Sequence, residues 1–152
     1  MTGITREQAA QAVAALFGTT ARQTRESRTY DPWEVIDNEG KKWRFVYDGS
    51  IHMTHRECRR QAAVHDSRYS VEMNSPKLEY SEMKKLQEVI RALRRAGAAV
   101  NDSCGMHVHV DASKHTPQSL KNVLSIMYSK EDILFAALKV NPARIDSYCQ
   151  AV

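Results

Sequence analysis

Two histidines lie two residues apart in an apolar stretch of the segment 101–113, whose sequence is NDSCGMHVHVDAS. In a β-strand, alternate side chains point to the same side of the sheet. A strand here would place three polar side chains on one face, those of His107, His109 and Asp111. Its other face, suited to packing on helices, would carry Met106, Val108 and Val110. Alternate side chains stand roughly 7 Å apart along a strand, which predicts contacts with different atoms of one ligand.

Two carboxylates end or interrupt other predicted strands, Asp48 in FVYDGS and Glu72 in SVEMNSP. If these strands pair with the histidine strand, Asp48, Glu72 and His107 converge on one face of the sheet. Carboxylates and an imidazole suit Mg²⁺ or Mn²⁺ bound with ATP phosphates better than they suit tetrahedral zinc. Gly105 precedes the histidines and, having no β-carbon, lets the backbone approach a ligand closely.

Hydrophobic periodicity predicts the elements that must position these residues. Thr5 and Gln8 match a capping box, and apolar residues at helical spacing follow until Gly18, which predicts a first helix. Alternating aromatic and polar residues over Trp33–Asp37 and Trp43–Asp48 predict a β-hairpin. Further elements are expected in this order: a strand within 69–76, an amphipathic helix over 81–96, the histidine strand, and helices over 117–128 and 129–138.

This mixture predicts an α+β fold, with a largely antiparallel sheet and helices packed on one face. A chain of 152 residues fits a single domain spanning 1–152. The polar segment 19–32 is predicted as a loop, and the periodicity of 51–67 is too weak for an assignment.

Composition excludes several classes of protein. With 42% hydrophobic and 26% charged residues, the chain is expected to fold rather than to be disordered. Its net charge of +4 is concentrated in His55–Arg60 and Arg91–Arg95 without interleaved aromatics, which disfavours nucleic-acid binding without excluding it. Three cysteines without a CxxC pair argue against a disulfide framework or a zinc knuckle. No membrane-length apolar run or signal-peptide pattern occurs, so a cytoplasmic location is expected.

The combined motifs resemble the amidoligase family, relatives of glutamine synthetase among the carboxylate–amine ligases. The resemblance rests on GAAVNDSCGMHVHVD, on the upstream VEMNSP and DGS, and on the helix TGITREQAAQAVAALFG. It implies an ATP- and Mg²⁺-dependent enzyme with a glutamine synthetase-like catalytic fold. Its substrates would be a peptide or amino-acid-like carboxylate, which ATP phosphorylates, and an amine, which attacks the acyl phosphate.

By the same resemblance, individual residues acquire roles. His107 and Glu72 would be metal ligands, and His109 would lie near the ATP phosphates. Asn101 and Gly105 would line the pocket for the carboxylate substrate. Two catalytic roles are also implied: Asp48 would contact the metal or the amine, and Arg144, in NPARIDSYC, would steady the phosphate during transfer.

The sequence also departs from the family pattern. Members normally carry a Glu-x-Glu strand just before the TGITR helix and continue past the position of Val152, so this chain is expected to be shortened at both ends. A missing edge strand would leave backbone groups unpaired, which predicts homodimerisation by strand addition.

Three other hypotheses follow from the residues. A catalytically incomplete relative would act by binding or inhibiting a protein or nucleic-acid partner, for example as a phage or mobile-element antagonist. A metal hydrolase is suggested by HVHVDASKH, although Ala112 stands where the metallo-β-lactamase motif has histidine. Cys104 could be a nucleophile, but a buried inert thiol fits its position better. His52, His55 and His65 are expected to be exposed loop residues rather than a metal cluster.

Overall fold

The computed structural model describes residues 1–25, 29–57, 60–145 and 149–150. The chain divides into two units, Met1–Gly105 and Met106–Val152, and each is described by itself.

The first helix, α1, spans Arg6–Phe17 and has the predicted ends. The Thr5 hydroxyl accepts a hydrogen bond from the backbone N–H of Gln8 at 3.2 Å, and the Gln8 side chain accepts one from the N–H of Thr5 at 2.9 Å. Gly18 ends the helix at φ 66°, in the left-handed conformation that glycine adopts without steric cost. The local signals of the sequence thus determine this helix.

A four-stranded antiparallel sheet forms the centre of the first unit. Its strands are β1 (Ala21–Gln23), β2 (Trp33–Ile36), β3 (Lys42–Val46) and β6 (Glu72–Asn74). They lie side by side in the order β1-β2-β3-β6. The hairpin of β2 and β3 and the strand within 69–76 confirm the predictions. The predicted loop over 19–32 is partly wrong, because it contains β1, too short and polar to show alternation.

The pairing register sorts the side chains onto two faces. The core face carries the apolar residues of the sheet, which are Ala21, Trp33, Val35, Trp43, Phe45 and Met73. The opposite side, called the polar face, carries Arg22, Glu34, Ile36, Lys42, Arg44, Val46, Glu72 and Asn74. Helix α1 packs on the core face, where Ala9, Ala10 and Val13 are fully buried. The predicted α+β fold with an antiparallel sheet is observed, and α1 packs on one face of that sheet.

A second helix, α2 (Met83–Arg95), packs beside α1 and buries Val89 and Leu93. The unassigned region 51–67 contains the two-stranded hairpin of β4 (Thr54–Glu57) and β5 (Arg60–Ala63). Single-turn 3₁₀ helices lie at Ser67–Tyr69 and Tyr80–Glu82.

Residues 1–3 form backbone hydrogen bonds with two parts of the chain that are distant in sequence. Thr2 and Ala99 exchange two backbone hydrogen bonds of 2.8 Å, and Gly3 donates to the carbonyl of Thr54 at 2.9 Å. Gly3 has φ +87°, and a β-carbon there would come within 2.7 Å of the Gly97 carbonyl oxygen. Only glycine fits at this position, which holds segment 97–101 near the start of the chain.

The second unit consists of α3 (Pro117–Leu138) and α4 (Pro142–Ile145). The predicted break near Ser129 is wrong, because α3 continues through it, with the Ser129 hydroxyl bonded to the Ile126 carbonyl at 3.1 Å. The predicted histidine strand is also wrong, since 106–110 have no regular secondary structure. A strand needs a partner, and no strand of the described residues pairs with this segment. In the described parts of the chain, no helix is both long and apolar enough to span a bilayer.

Candidate functional site

Asp48 and Glu72 lie at the same end of the polar face, because β3 pairs with β6. Glu72 is the direct cross-strand partner of Val46, and Asp48 comes two residues later. The antiparallel alignment continues one step past the sheet: the Asp48 N–H donates to the Ser70 hydroxyl at 3.1 Å, and this hydroxyl donates to the Asp48 carbonyl. Two carboxylates therefore stand at adjoining strand ends, separated by roughly 7 Å along the strand direction.

The Asp48 carboxylate also shapes the DGS turn. Its Oδ1 accepts hydrogen bonds from the backbone N–H of Ser50 at 2.9 Å and from the Ser50 hydroxyl at 2.7 Å. A side chain that caps its own turn has a fixed orientation, and that fixes the end of β3 at this rim of the sheet.

Arg6, a buried residue of α1, fixes the backbone of Ser67 and Ser70 next to this end of the sheet. The Arg6 side chain is 4% exposed and donates to the carbonyls of Ser67 and Ser70 at 2.6 and 2.9 Å. It also binds the Asp31 carboxylate at 2.6 Å and the Asp31 carbonyl at 3.1 Å. Burial alone would raise the pKa of Asp31, but hydrogen bonds from Arg6 and Gln23 outweigh it, and the pKa is lowered. Arg6 thus positions Ser70, which in turn holds Asp48.

Asn101 lies on a turn that is fastened to the chain just after Asp48. Its side-chain amide donates to the His52 carbonyl at 2.7 Å, and the Ser103 hydroxyl accepts from the His52 N–H at 2.8 Å. The Asn101 side-chain oxygen Oδ1 accepts from the Ser103 backbone N–H and hydroxyl and from the Cys104 thiol. The Asn101 side chain therefore makes structural hydrogen bonds within this turn, and its role in the pocket for the carboxylate substrate stays a prediction. Gly105 follows on this turn and is exposed.

His107, His109 and Arg144 belong to the second unit. The two histidines are exposed, and so are the neighbouring apolar residues, with Met106 at 85% and Val108 at 77%. Arg144 lies on α4 and is half-buried. The roles that the resemblance gives these three residues stay predictions.

A second group on the polar face, called the Glu34 cluster, consists of Glu34 with Arg22, Lys42 and Arg44. The Glu34 carboxylate is 1% exposed and meets Arg22 Nη2 at 3.2 Å, Lys42 Nζ at 3.2 Å and Arg44 Nε at 3.4 Å. The cationic side chains are far more open, with 61% of Arg22 and 47% of Lys42 exposed. Sequence reasoning missed this cluster, because it depends on the register of three strands and one of them was read as a loop. Alternation in WEVI and KWRFV could have indicated that Glu34 and Arg44 share a face.

The structure also shows where the residues of the other sequence hypotheses lie. His52 and His65 are exposed and lie outside the strands, as predicted, whereas the prediction is wrong for His55, which lies on β4 and is half-buried. No group of three or more His, Cys, Asp or Glu ligands occurs among the described residues. The Cys104 thiol is half-buried and bonded to Asn101. Within His55–Arg60, residues 58 and 59 lie outside the described residues, whereas Arg91, Arg94 and Arg95 are exposed on α2.

Comparison with known proteins adds one finding. The family model described as "Putative amidoligase enzyme" matches residues 1–152. No curated protein and no solved structure matches the chain. The family match confirms the resemblance that the DGS, EMNSP and CGMHVHVD motifs indicated, while the glutamine synthetase-like fold stays a prediction.

Proposed function

Because the chain belongs to the amidoligase family, we propose that it is an ATP-dependent ligase that joins a carboxylate to an amine. One observation supports this assignment above the others: Asp48 and Glu72, both in motifs of the resemblance, lie at adjoining strand ends on the polar face. The buried Arg6 and the Ser70 hydroxyl hold that end in place, as pre-organised catalysis requires.

The proposed reaction has two steps. The substrate carboxylate attacks the γ-phosphorus of ATP, forming an acyl phosphate and releasing ADP. The amine then attacks the acyl carbon, the C–O bond to phosphate breaks, and an amide, inorganic phosphate and a proton are the products. Each step moves negative charge between oxygens, so the residues that accelerate it are those that neutralise or orient these oxygens.

A divalent cation fits the donors present at this end of the sheet. Mg²⁺ is usually bound through one or two carboxylates together with substrate phosphates and water, rather than by an all-protein cage. Asp48 and Glu72 would supply such carboxylates, and a cluster of three protein ligands is not required. When bound, the cation would neutralise phosphate charge. His109, which the resemblance places near the phosphates, is tested in the same experiment as Glu72. The role of His107 as a metal ligand rests on the resemblance alone.

Calorimetric titration with Mg-ATP tests the proposal. The wild-type protein is expected to bind, and Glu72→Gln and His109→Ala are each expected to weaken binding by about tenfold or more, since each removes a charge-assisted contact. Two exposed residues provide matched controls, Glu88→Gln and His65→Ala, which are expected to bind as the wild type does.

Two results would contradict the ligase assignment. One is no heat of binding at millimolar Mg-ATP, which would favour the alternative of a catalytically incomplete relative that binds a macromolecular partner. The other is equal loss of binding in the site variants and in their controls, which would show that no defined nucleotide site exists at these residues.

A further inference from the structure

The Glu34 cluster gathers several cationic groups at one spot of the polar face. Apart from Arg44, the open cations Arg22 and Lys42 share the single Glu34 carboxylate, so that carboxylate does not neutralise both of them. The carboxylate is buried to 1% exposure, whereas Arg22 and Lys42 are about half exposed or more. The negative charge is therefore hidden beneath the positive groups, which face solvent.

The buried carboxylate also pre-organises the cations. Arg and Lys side chains lose rotamer entropy when they are fixed, and that loss normally weakens a binding contact. Here Glu34 already restrains Arg22, Lys42 and Arg44 within 3.2–3.4 Å of its oxygens. An incoming anion would meet groups that are already gathered on one spot.

The cluster lies on the same face as the two carboxylates of the proposed site. Arg44 is two residues before Val46 on β3, and Val46 is the cross-strand partner of Glu72. Two residues along a strand correspond to roughly 7 Å. One extended ligand could therefore reach from the cluster to Glu72.

We propose that Arg22, Lys42 and Arg44, gathered around the buried Glu34, bind a multiply charged oxyanion of the substrates. This inference rests on the proposed function for its link to catalysis, but not for the binding itself. Phosphate and carboxylate oxygens both match the planar fork of an arginine, so a nucleotide triphosphate and a polycarboxylate substrate are two sources of the same chemistry.

Calorimetric titration of the full chain at an ionic strength of about 0.1 M, with sodium tripolyphosphate and separately with the tricarboxylate tricarballylate, tests the inference. At least one probe is expected to bind, and the double variant Arg22→Gln/Lys42→Gln is expected to weaken that binding by about tenfold or more, because it removes two charge-assisted contacts. Stronger binding of tripolyphosphate identifies the phosphate source, and stronger binding of tricarballylate identifies the carboxylate source.

The matched control is Arg91→Gln/Arg94→Gln, which removes the same net charge from exposed positions of α2. It is expected to change binding by less than about twofold, because exposed charges beyond a Debye length of roughly 10 Å are screened. Lys42→Gln alone is the second variant. Its side chain is 47% exposed, so the fold tolerates the change, and a threefold or larger weakening is expected.

Two outcomes would overturn the inference: neither probe binds the wild type, or the control double variant loses as much affinity as the cluster variant. Its failure is distinguishable from failure of the proposed function. If Glu72→Gln abolishes Mg-ATP binding while tripolyphosphate still binds, both stand. If Mg-ATP binding does not depend on Glu72 or His109 but tripolyphosphate binding depends on Arg22 and Lys42, only the proposed function fails.

Discussion

The hairpin of β2 and β3 carries two acid-centred clusters with contrasting surroundings. In the Glu34 cluster, one carboxylate on the polar face serves three cations that lie largely open to solvent. The second group, called the Asp37 cluster, consists of Asp37 with Glu39, Lys41, Trp43, Glu82 and Lys85. Its central carboxylate, at the end of β2, is surrounded by donors that lie mostly inside the protein. Both use a nearly inaccessible acid, each with its side chain 1% exposed.

Asp37 uses both of its oxygens for structural hydrogen bonds. Oδ1 accepts from the backbone N–H groups of Glu39 and Lys41 at 3.0 and 2.9 Å. Oδ2 accepts from the Trp43 indole at 3.2 Å and from Lys85 on α2 at 3.3 Å. Lys85 also meets Glu39 at 2.7 Å, and Lys41 meets Glu82 at 2.6 Å. These contacts fasten the hairpin turn to the start of α2.

The two clusters differ in the balance of their charges and in the exposure of their cations. In the Asp37 cluster the acids outnumber the lysines, and Lys41 and Lys85 are only 31% and 23% exposed. In the Glu34 cluster, Arg22 and Lys42 share one carboxylate and are 61% and 47% exposed. The same residue types therefore lie inside the protein in one cluster and open to solvent in the other, where we propose that they meet a ligand.

Removal of each central acid should show the contrast in stability. We expect Asp37→Ala to lower the free energy of unfolding by about 3–5 kcal/mol, because it leaves the buried Trp43 indole N–H and two backbone N–H groups without their acceptor. We expect Glu34→Ala to cost about 1–2 kcal/mol, since Arg22 and Lys42 can turn to water. Urea denaturation followed by tryptophan fluorescence measures both, and equal losses would contradict the distinction.

Low pH is expected to weaken the Asp37 cluster and so to lower the free energy of unfolding. Burial alone would raise the pKa of Asp37, but hydrogen bonds from Lys41, Trp43, Glu39 and Lys85 outweigh it, so its pKa lies below 3.8. A carboxyl with a lowered folded-state pKa stabilises the fold above its unfolded-state pKa, and this contribution is lost as the pH falls through the folded-state value.

The free energy of unfolding is therefore expected to be nearly constant between pH 7 and about 5 for this group, and to fall below about pH 4. Asp37→Asn should make that decline shallower without removing it, because the pKa values of Asp31, Asp66 and Glu82 are also lowered. Denaturant titrations from pH 2.5 to 7 measure the slope. An unchanged slope in Asp37→Asn would show that this carboxylate is not stabilised by folding.

Removal of one lysine from each cluster gives the smallest expected effect. Lys85→Gln should cost about 1 kcal/mol, since its ammonium contacts both Asp37 and Glu39 while mostly buried. Lys42→Gln should change stability by less than about 0.5 kcal/mol, as is usual for an exposed ion pair. Thermal unfolding of both variants beside the wild type provides the comparison, and a larger loss for Lys42→Gln would reverse it.

Local signals predicted the parts of the fold that depend on neighbours in sequence. The capping box of Thr5 and Gln8 and the glycine at 18 give both ends of α1, and alternation in WEVI and WRFV gives the hairpin. Elements that depend on distant partners were less predictable. Strand β1 has only three residues, and its pairing with β2 is what makes it a strand. Segment 106–110 alternates as a strand should, yet no described strand pairs with it.

The residues of the candidate site also differ in how far the sequence could predict where they lie. Asp48 and Glu72 could be placed near each other because Asp48 follows the recognisable strand β3 by two residues, Glu72 begins β6, and these strands pair. Their roles stay predictions. The Glu34 cluster was missed because Arg22, Glu34 and Arg44 come together only through the register of β1, β2 and β3. The structural use of Asn101 was equally hidden, since its partner His52 is 49 residues away in sequence.

The central claim is that the end of the polar face at Asp48 and Glu72 is where the cation and nucleotide bind. Paramagnetic broadening of backbone amide NMR signals by Mn²⁺ in the presence of ATP tests it most directly. We predict selective broadening for residues 46–50 and 70–74, lost in Glu72→Gln, with the outer face of α2 at 84–91 unaffected. Broadening that avoids these two strand ends, or that persists unchanged in Glu72→Gln, would contradict the account.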